Sequence, residues 1–184
     1  MAKILFVDLE TTGFSREWDY IIEVAAVLYD EETRTELDRF HEYIRPGKRI
    51  PQNIVEITRI TNEQVADCRI EQIVLADFFE WVAISKPDKI TAYNSSFDRG
   101  FLMTKKEKYG LFSGDFEWFD MMKYGRELKK EGKTENYKQE TIARFLGIEY
   151  GAHSAIEDVR ALIQIYERLG LNENKKAKRK ALGF

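Results

Sequence analysis

The chain has 184 residues, of which 43% are hydrophobic and 33% are charged, as is typical of one folded domain with a solvated surface. These values exclude a disordered or collagen-like chain, and no run of residues is long and apolar enough to predict a membrane span. The single cysteine, Cys68, excludes an internal disulfide and a site built from several cysteines. No secretory signal is evident, so we expect a cytoplasmic protein without membrane association.

Charge is unevenly distributed along the chain. The net charge is −3, which taken alone argues weakly against a protein that binds nucleic acid by charge. Residues 171–184 carry five basic residues and one acidic residue, whereas the remaining body has a net charge of −7. We therefore predict one domain over residues 1–170 and a basic tail over residues 171–184. The tail is interpreted either as a solvated terminus or as an arm that contacts phosphate or a partner protein.

The hydrophobic pattern predicts three strands in the N-terminal part, over residues 3–9, 20–30 and 34–44. The first is almost continuously apolar, as expected of a buried central strand, whereas the third alternates and suits a position nearer the edge. Pro51 then opens a short helical segment, and the polar run from Thr61 suits a helix N-cap.

Strands and helices alternate in the rest of the chain. The predicted elements are, in chain order, a helix over 71–84, a strand over 89–93, a helix over 96–109, a strand over 116–121, and helices over 139–146 and 155–169. Strands followed by alternation of strand and helix indicate an α/β fold with a mixed sheet and helices packed on it.

Carboxylates stand where two of the predicted strands end. Asp8 and Glu10 flank Leu9, and residues i and i+2 of a strand point to the same face. Both acids are thus directed at the carboxyl edge of a buried strand, where open sheets tend to bind ligands. The alternative is a capping or turn role, although two adjacent charges there are costly unless a cation is bound. Asp98 begins the helix after the strand over 89–93, where its alternative role is to complement the helix dipole.

The last helix contributes a third group of polar residues. Ser154 and Glu157 match a capping box, which places His153 just before the helix and Asp158 in its first turn. The alternative interpretation of His153 is a solvent-facing loop residue. His41, the second histidine, lies on a predicted strand among charged residues and is the weaker catalytic candidate.

Together these residues form a set of four carboxylates and one histidine. Hard oxygen ligands of this kind suit Mg²⁺ or Mn²⁺ rather than zinc. Two such ions per site can activate a water molecule and stabilise the leaving oxygen of a phosphodiester, with the histidine as general base. The chain holds no Walker-type glycine loop and no G-x-S-x-G motif, so metal-assisted hydrolysis is the predicted chemistry.

The motifs resemble those of a known family. Residues 6–13, with the sequence Phe-Val-Asp-Leu-Glu-Thr-Thr-Gly, resemble the first motif of the DEDDh 3′–5′ exonucleases, which are relatives of the proofreading epsilon subunit of bacterial DNA polymerase III. Residues 93–98 resemble the second motif. His153, followed five residues later by Asp158, resembles the third motif and specifies the histidine branch of the family. The resemblance covers about residues 1–170.

The resemblance implies an RNase H-like fold with a mixed five-stranded sheet, in which an N-terminal antiparallel meander is joined to parallel strands. It assigns Asp8, Glu10 and Asp158 to direct metal binding, with Asp8 bridging both ions. It further implies that Asp98 holds the second ion and that His153 is the general base.

The resemblance also implies a pocket for the terminal nucleotide. Phe14 would wedge near the base, and the full set of implied substrate-binding residues is Leu9, Thr11, Thr12, Phe14, Thr58, Asn94 and Phe97. The alternative is that Phe14 and Phe97 are core residues and that Thr11 and Thr12 only shape the turn. Residues 51–62 are similar to a linking segment that usually reads T-G-I-T, with Arg59 in place of the glycine.

The implied function is a metal-dependent 3′–5′ exonuclease that acts on DNA in proofreading or repair and releases nucleoside 5′-monophosphates. One alternative is an exoribonuclease or oligoribonuclease, since discrimination rests on the 2′-hydroxyl. A different class of function is a non-catalytic nucleic-acid-binding module associated with a polymerase. The expected partners are a nucleic acid with a 3′ end, single-stranded or frayed DNA above all, and a DNA polymerase or other replication protein.

Overall fold

The computed structural model describes residues 2–111, 114, 116–149, 151 and 154–171. Its strands are β1 (Lys3–Thr11), β2 (Ile21–Asp30), β3 (Thr35–Tyr43), β4 (Lys89–Ala92) and β5 (Glu117–Asp120). Its helices are α1 (Gln52–Thr58), α2 (Asn62–Val65), α3 (Glu71–Ser85), α4 (Ser95–Tyr109), α5 (Met122–Lys130), α6 (Gln139–Phe145) and α7 (Ala155–Arg168).

The five strands form one mixed sheet in the order β3-β2-β1-β4-β5. The pairs β1/β2 and β2/β3 are antiparallel, whereas β1/β4 and β4/β5 are parallel. This arrangement confirms the predicted meander joined to parallel strands, and it places β3 at an edge and β1 in the centre. The carboxyl ends of β1, β4 and β5 therefore lie along one edge of the sheet.

The two faces of β1 pack into different cores. Ile4 and Phe6 belong to the core that includes α7, whereas Leu5, Val7 and Leu9 belong to the core that includes α3 and α4. Because side chains alternate along a strand, the even-numbered positions continue onto the α7 face. The central strand thus directs Asp8 and Glu10, the next two even positions, towards α7.

Helix α5 is the element that the sequence pattern does not predict. Its buried residues are only Tyr124, Gly125 and Leu128, and most of its other positions are charged. The apolar positions of α5 do recur on one face, but the helix is short and mostly polar, and it contains Gly125, a residue of low helix propensity. The structure therefore adds a helix to the region that the sequence left unassigned.

A capping box at the start of α2 confirms the N-cap predicted at Thr61. The Thr61 hydroxyl accepts a hydrogen bond from the backbone N–H of Gln64 at 3.2 Å, and the Gln64 side chain accepts one from the Thr61 N–H at 2.7 Å. These reciprocal bonds fix the direction in which the chain leaves α1.

Arg59 ends α1 in the left-handed conformation, with φ of 63°. This backbone conformation costs a residue with a side chain roughly 1–2 kcal/mol, and it explains why a glycine is usual at this position of the similar motif. We expect the Arg59→Gly variant to unfold with a free energy about 1 kcal/mol higher than the parent protein. Thermal or urea unfolding measures this difference.

Lys86 provides the matched control, because it ends α3 with φ of 49°. The Lys86→Gly variant should gain stability to a similar extent. A loss of stability in Arg59→Gly, with a gain in Lys86→Gly, would show that the Arg59 side chain has a stabilising role that outweighs its backbone strain.

The predicted basic tail is only partly covered by the structure. Residues 172–184 lie outside the described residues, so the division into a domain over 1–170 and a tail over 171–184 stays a prediction. Among the described residues, no helix is both long enough and apolar enough to cross a membrane.

Candidate active site

Three carboxylates converge where β1 ends and α7 begins. Asp8, Glu10 and Asp158 each place a carboxylate oxygen within 4.8 Å of the other two. Asp98 is buried at the start of α4, and its carboxylate accepts a hydrogen bond from the backbone N–H of Leu9. The sequence-predicted acids are therefore brought to one edge of the sheet, with Asp98 beside the group of three.

Burial and mutual repulsion make these acids unusually basic. Burial raises the pKa of Asp8 well above its ordinary value, and the charges of Asp98, Asp158 and Glu10 raise it further. Burial, followed by repulsion from Asp158, raises the pKa of Glu10 to about 8. Burial also raises the pKa of Asp98 to about 7, although hydrogen bonds from its own N–H and from that of Leu9 oppose the shift. A cluster that resists its own ionisation in this way favours a bound cation.

A fifth carboxylate, that of the buried residue Glu23, holds the start of α7 against the sheet. Glu23 lies on β2 opposite Glu10 and is completely buried. One of its oxygens accepts a hydrogen bond from the backbone N–H of Ala155 at 3.2 Å, and the other lies 2.7 Å from Nε2 of His41. Because Ala155 begins the helix that carries Asp158, Glu23 positions that acid relative to β1.

The predicted capping box at Ser154 is wrong. The Ser154 side chain makes no capping hydrogen bond, and the Glu157 carboxylate binds Arg160 instead. The reason is a tertiary contact, because the carboxylate of Glu23 on β2 accepts the hydrogen bond from the N–H of Ala155 in the first turn of α7. Ser154 still occupies the N-cap position, so the predicted start of the last helix holds.

The structure describes His41 but not His153. His153 lies outside the described residues, and its role as general base stays a prediction from the sequence. His41 lies on the edge strand β3, where its ring contacts Glu23 and packs 5.4 Å from the ring of Tyr43. His41 is thus a surface strand residue, as predicted.

A tightly bonded loop follows β1 and is organised by Asp19. Its carboxylate accepts hydrogen bonds from the Thr12 hydroxyl at 3.0 Å, the Ser15 N–H at 2.8 Å and the Lys48 ammonium at 2.5 Å. A side-chain carbon at Gly13 would lie 2.4 Å from an Asp19 oxygen, so only glycine fits there. The Thr12 hydroxyl also accepts a hydrogen bond from the backbone N–H of Tyr20 at 3.0 Å, so Thr12 has a structural role in the turn.

A small cleft opens beside the acids on the side of this loop. Its volume is about 130 Å³, and its lining residues are Leu9, Glu10, Thr11, Gly13, Phe14, Ile54, Ile57, Thr58 and Phe97. Five of the seven predicted substrate-binding residues thus line one cleft that shares Glu10 with the acidic cluster. Thr12 and Asn94 are not among its lining residues.

The two phenylalanines of the cleft differ in burial. Phe14 is 85% exposed, which excludes a core role, and its ring centroid lies 6.3 Å from that of Phe97. Phe97 is half-buried and packs 4.9 Å from Phe101 in the core below. The rigid ring of Phe97 therefore supports a cleft wall whose outer part is the exposed ring of Phe14.

Asp120 is a further acid at this edge that the sequence did not single out. It ends β5, and its carboxylate accepts a hydrogen bond from the Ser95 N–H at 3.1 Å. Its charge contributes to the raised pKa of Asp98. The signal that could have found Asp120 is its place at the end of the next parallel strand, as for Asp8.

A model of the exonuclease family matches residues 5–166 of the chain. The chain belongs to the exonuclease family. A DNA polymerase III of the PolC type from Staphylococcus epidermidis is 32% identical over 94% of this chain, and that of Staphylococcus aureus is 33% identical over 91%. This chain spans only 12% and 11% of the lengths of those two proteins. The family predicted from the sequence motifs is thereby confirmed.

Solved structures with the same fold include other exonucleases. The nuclease domain of 3′hExo, a DEDDh family member bound to rAMP, is similar with a TM-score of 0.76 and 23% identity, over 93% of this chain and 92% of that one. Escherichia coli exonuclease I in complex with a dT13 oligonucleotide is similar with a TM-score of 0.82 and 20% identity, over 97% of this chain and 43% of that one. These similarities confirm the predicted RNase H-like fold.

The acidic cluster of this exonuclease-family chain fits a divalent metal ion. Three carboxylates within 4.8 Å of one another supply the hard oxygen donors that Mg²⁺ and Mn²⁺ prefer. In the described part of the chain, no lysine or arginine forms an ion pair with Asp8, Glu10 or Asp98. A bound cation would therefore supply charge compensation that these side chains otherwise lack.

The raised pKa values predict how metal binding depends on pH. A carboxyl group whose pKa is higher in the folded than in the unfolded state binds extra protons when folded, so metal-free protein loses stability as pH rises from about 4 towards 8. A divalent cation displaces those protons and reverses the loss. We expect Mg²⁺ or Mn²⁺ to raise the melting temperature more at about pH 8 than at about pH 6.

Differential scanning fluorimetry with and without metal measures this difference, and the Asp8→Asn variant is the comparison. That variant lacks one of the ligands and should show a smaller metal-induced shift at both pH values. An equal shift at both pH values in the parent protein would contradict metal binding by the acids with raised pKa.

Proposed function

We propose that this exonuclease-family chain is a metal-dependent 3′–5′ exonuclease that hydrolyses DNA and releases nucleoside 5′-monophosphates. The observation that carries the proposal is the convergence of Asp8, Glu10 and Asp158 within 4.8 Å at the carboxyl end of β1. The adjoining cleft, which reaches the same Glu10, would take the terminal nucleotide. A family match over residues 5–166 supports the reaction class.

Each residue of the site has a proposed part in the reaction. Asp8, Glu10 and Asp158 would hold two divalent ions directly, and Asp98 would hold the second ion through water. When bound, the ions would polarise the phosphodiester and stabilise charge on the oxygen that leaves. His153 would take a proton from the attacking water, whose oxygen bonds to phosphorus while the bond from phosphorus to the 3′ oxygen of the preceding nucleotide breaks. The predicted substrate-binding residues would hold the departing nucleotide, and those that line the cleft are Leu9, Thr11, Phe14, Thr58 and Phe97, with Thr12 and Asn94 completing the set.

DNA is the proposed substrate because the relatives above 30% identity are DNA polymerases of the PolC type. Those relatives are about eight times as long as the aligned region, so action alongside a DNA polymerase is part of the proposal. A second candidate is an exoribonuclease. It is favoured by a similar structure at 21% identity and a TM-score of 0.75, a 3′-exonuclease in 3′-end specific recognition of histone mRNA stem-loop.

Matched DNA and RNA strands labelled at the 5′ end test this proposal. In the presence of Mg²⁺ or Mn²⁺, we expect a ladder of DNA products that shorten from the 3′ end, with RNA cleaved more slowly. Faster cleavage of RNA would favour the exoribonuclease. Binding of either strand without any cleavage would favour a non-catalytic module and overturn the proposal.

A further inference from the structure

Helix α5 is a strongly basic surface on an acidic protein. Its nine residues contain four basic side chains, Lys123, Arg126, Lys129 and Lys130, and one acidic side chain, Glu127. All four basic residues are exposed. Since the whole chain has a net charge of −3, this helix is a local reversal of sign, and polyanions are attracted to such patches.

The four basic side chains of α5 have no acidic partner within the described ranges. The next lysine, Lys133, pairs with Glu131 at 2.9 Å, and Arg144 on α6 pairs with Glu140 at 3.2 Å. None of the four makes such an ion pair among the residues that the structure describes. No carboxylate of the described residues neutralises their charge, which can therefore attract a polyanion, while Arg126 also donates to the Met122 sulfur at 3.2 Å.

Aromatic rings accompany these cations. The Lys123 ammonium lies 4.1 Å from the ring centroid of Phe119, at the end of β5. Arg126 and Lys129 lie 5.7 Å and 5.5 Å from the ring centroid of Tyr137, which is 40% exposed. Phe119 is half-buried, so Tyr137 is the exposed ring of this surface. An exposed ring flanked by cations suits single-stranded nucleic acid, because bases stack on the ring while phosphates pair with the charges.

The α5 surface begins at the sheet edge that carries the acids. The backbone N–H of Met122 donates to the carbonyl of Tyr93 at 2.8 Å, and the Tyr93 hydroxyl donates to the carbonyl of Tyr137. Gln139, which starts α6, donates to the carbonyl of Asp158 at 2.8 Å. These bonds fix α5 and the Tyr137 segment beside the acidic cluster.

The sheet order places this surface across the acids from the nucleotide cleft. The cleft is formed by the end of the central strand β1, the loop at Phe14 and helix α1, whereas α5 follows β5, the edge strand that β4 separates from β1. A strand whose terminal nucleotide occupies the cleft has its scissile phosphate at the acids. A strand whose upstream nucleotides leave away from the cleft, towards β5, would pass over α5.

We propose that the exposed face of α5, together with Tyr137, binds the upstream nucleotides of a single-stranded polynucleotide whose 3′ end is in the site. This inference rests on the proposed function for the direction of the strand. The ligand chemistry is a phosphodiester backbone with stacked bases, which DNA and RNA share.

A rival path runs along α4, where Arg16, Arg99, Gly100 and Thr104 line a groove of about 390 Å³. In that groove, the side chain of Arg16 already makes a hydrogen bond within the fold. Its guanidinium lies over Gly100 and donates to the carbonyl of Ser96 at 2.8 Å. The charged residues that line the α4 groove are Arg16, Arg99, Lys106 and Glu107, with a net charge of +2, whereas the charged residues of α5 have a net charge of +3. The α5 surface is therefore the more basic of the two, and the α4 groove provides the matched control.

Two double variants distinguish the paths, each of which removes two positive charges from a helix surface. Arg126→Gln with Lys129→Gln alters α5, and Arg99→Gln with Lys106→Gln alters α4. Both are made in the Asp8→Asn background, so that binding is measured without hydrolysis. Fluorescence anisotropy with labelled single strands of about three and about 12 nucleotides, as DNA and as RNA, gives the affinity.

We expect the α5 variant to bind the longer strand at least about tenfold more weakly at low salt and to lower the slope of log affinity against log salt by about 1.4. The shorter strand should be affected much less, and DNA and RNA should respond alike. Tyr137→Leu should weaken binding of the longer strand about fivefold or more without changing the salt slope, because stacking is not ionic.

Unchanged binding of the longer strand by the α5 variant, or a larger loss in the α4 variant, would overturn the inference. Since hydrolysis is not part of this measurement, its result is separate from the proposed activity. If the α5 variant binds more weakly but the parent protein cleaves no strand, the inference is supported and the exonuclease proposal is refuted. If the α5 variant binds normally and the parent protein cleaves DNA, the inference is overturned and the exonuclease proposal is supported.

Discussion

The Asp8→Asn variant is expected to hydrolyse single-stranded DNA at least about 10³-fold more slowly than the parent protein. The reason is that a bound metal contributes several kcal/mol of charge stabilisation in the transition state, and each 1.36 kcal/mol changes a rate about tenfold. Asp8 lies within 4.8 Å of both Glu10 and Asp158, so removing its charge disrupts the shared metal site. The rate of 3′-end shortening, measured with Mg²⁺ or Mn²⁺, checks this result.

The melting temperature separates this effect from unfolding. Burial and the neighbouring acids raise the pKa of Asp8, so its neutral amide replacement relieves repulsion, and the metal-free variant should melt at or above the parent temperature. Glu36→Gln is the matched control, because Glu36 is an exposed acid on β3 that pairs with Arg39. Full activity in Asp8→Asn would contradict the assignment of Asp8 as a metal ligand, and a comparable loss in Glu36→Gln would show that the effect is not specific to the site.

The His153→Ala variant is expected to lose about 10²- to 10⁴-fold in rate, as is typical when a general base is removed. His153 stands one residue before Ser154, the N-cap of the helix that carries Asp158. In the proposed reaction, His153 accepts a proton from the attacking water, and this role is implied by the resemblance of the third motif. Single-turnover rates on a labelled DNA strand measure the loss.

The dependence of the rate on pH distinguishes a base from a structural residue. At saturating Mg²⁺, where bound metal keeps Glu10 and Asp98 ionised, the parent rate should rise with pH as the imidazole of His153 loses its proton, and this limb should disappear in His153→Ala. His41→Gln is the comparison, because His41 acts only through its bond to Glu23 and should cost about tenfold or less with the pH dependence intact. An unchanged pH profile in His153→Ala would refute its role as general base.

The central strand shows how far sequence reasoning reaches. A nearly unbroken apolar run at residues 3–9 is sufficient to predict a buried strand, and its period of two assigns Asp8 and Glu10 to one face. The structure adds which face this is, because Ile4 and Phe6 at the preceding even positions pack in the core with α7. Strand periodicity was therefore enough to pair Asp8 with Glu10, whereas the inclusion of Asp158 in their group came from the resemblance to the third motif.

The supporting residues were not predictable in the same way. Glu23 lies on β2, whose other charged residue is its last, Asp30, and the role of Glu23 depends on its meeting the N–H of Ala155, which is 132 positions away in sequence. Asp19 likewise gathers Thr12, Ser15 and Lys48 only after the loop has folded. Local patterns describe elements and their ends, whereas such contacts are decided by tertiary packing, as the failure of the predicted capping box at Ser154 also shows.

The most direct test of the proposed reaction is the fate of the water oxygen. Hydrolysis of a DNA strand in water enriched in ¹⁸O, followed by mass spectrometry of the released mononucleotides, identifies both the product and the bond that breaks. The proposed function predicts nucleoside 5′-monophosphates that carry one ¹⁸O atom in the phosphate, released from the 3′ end. Release of 3′-monophosphates, or release from the 5′ end, would contradict it.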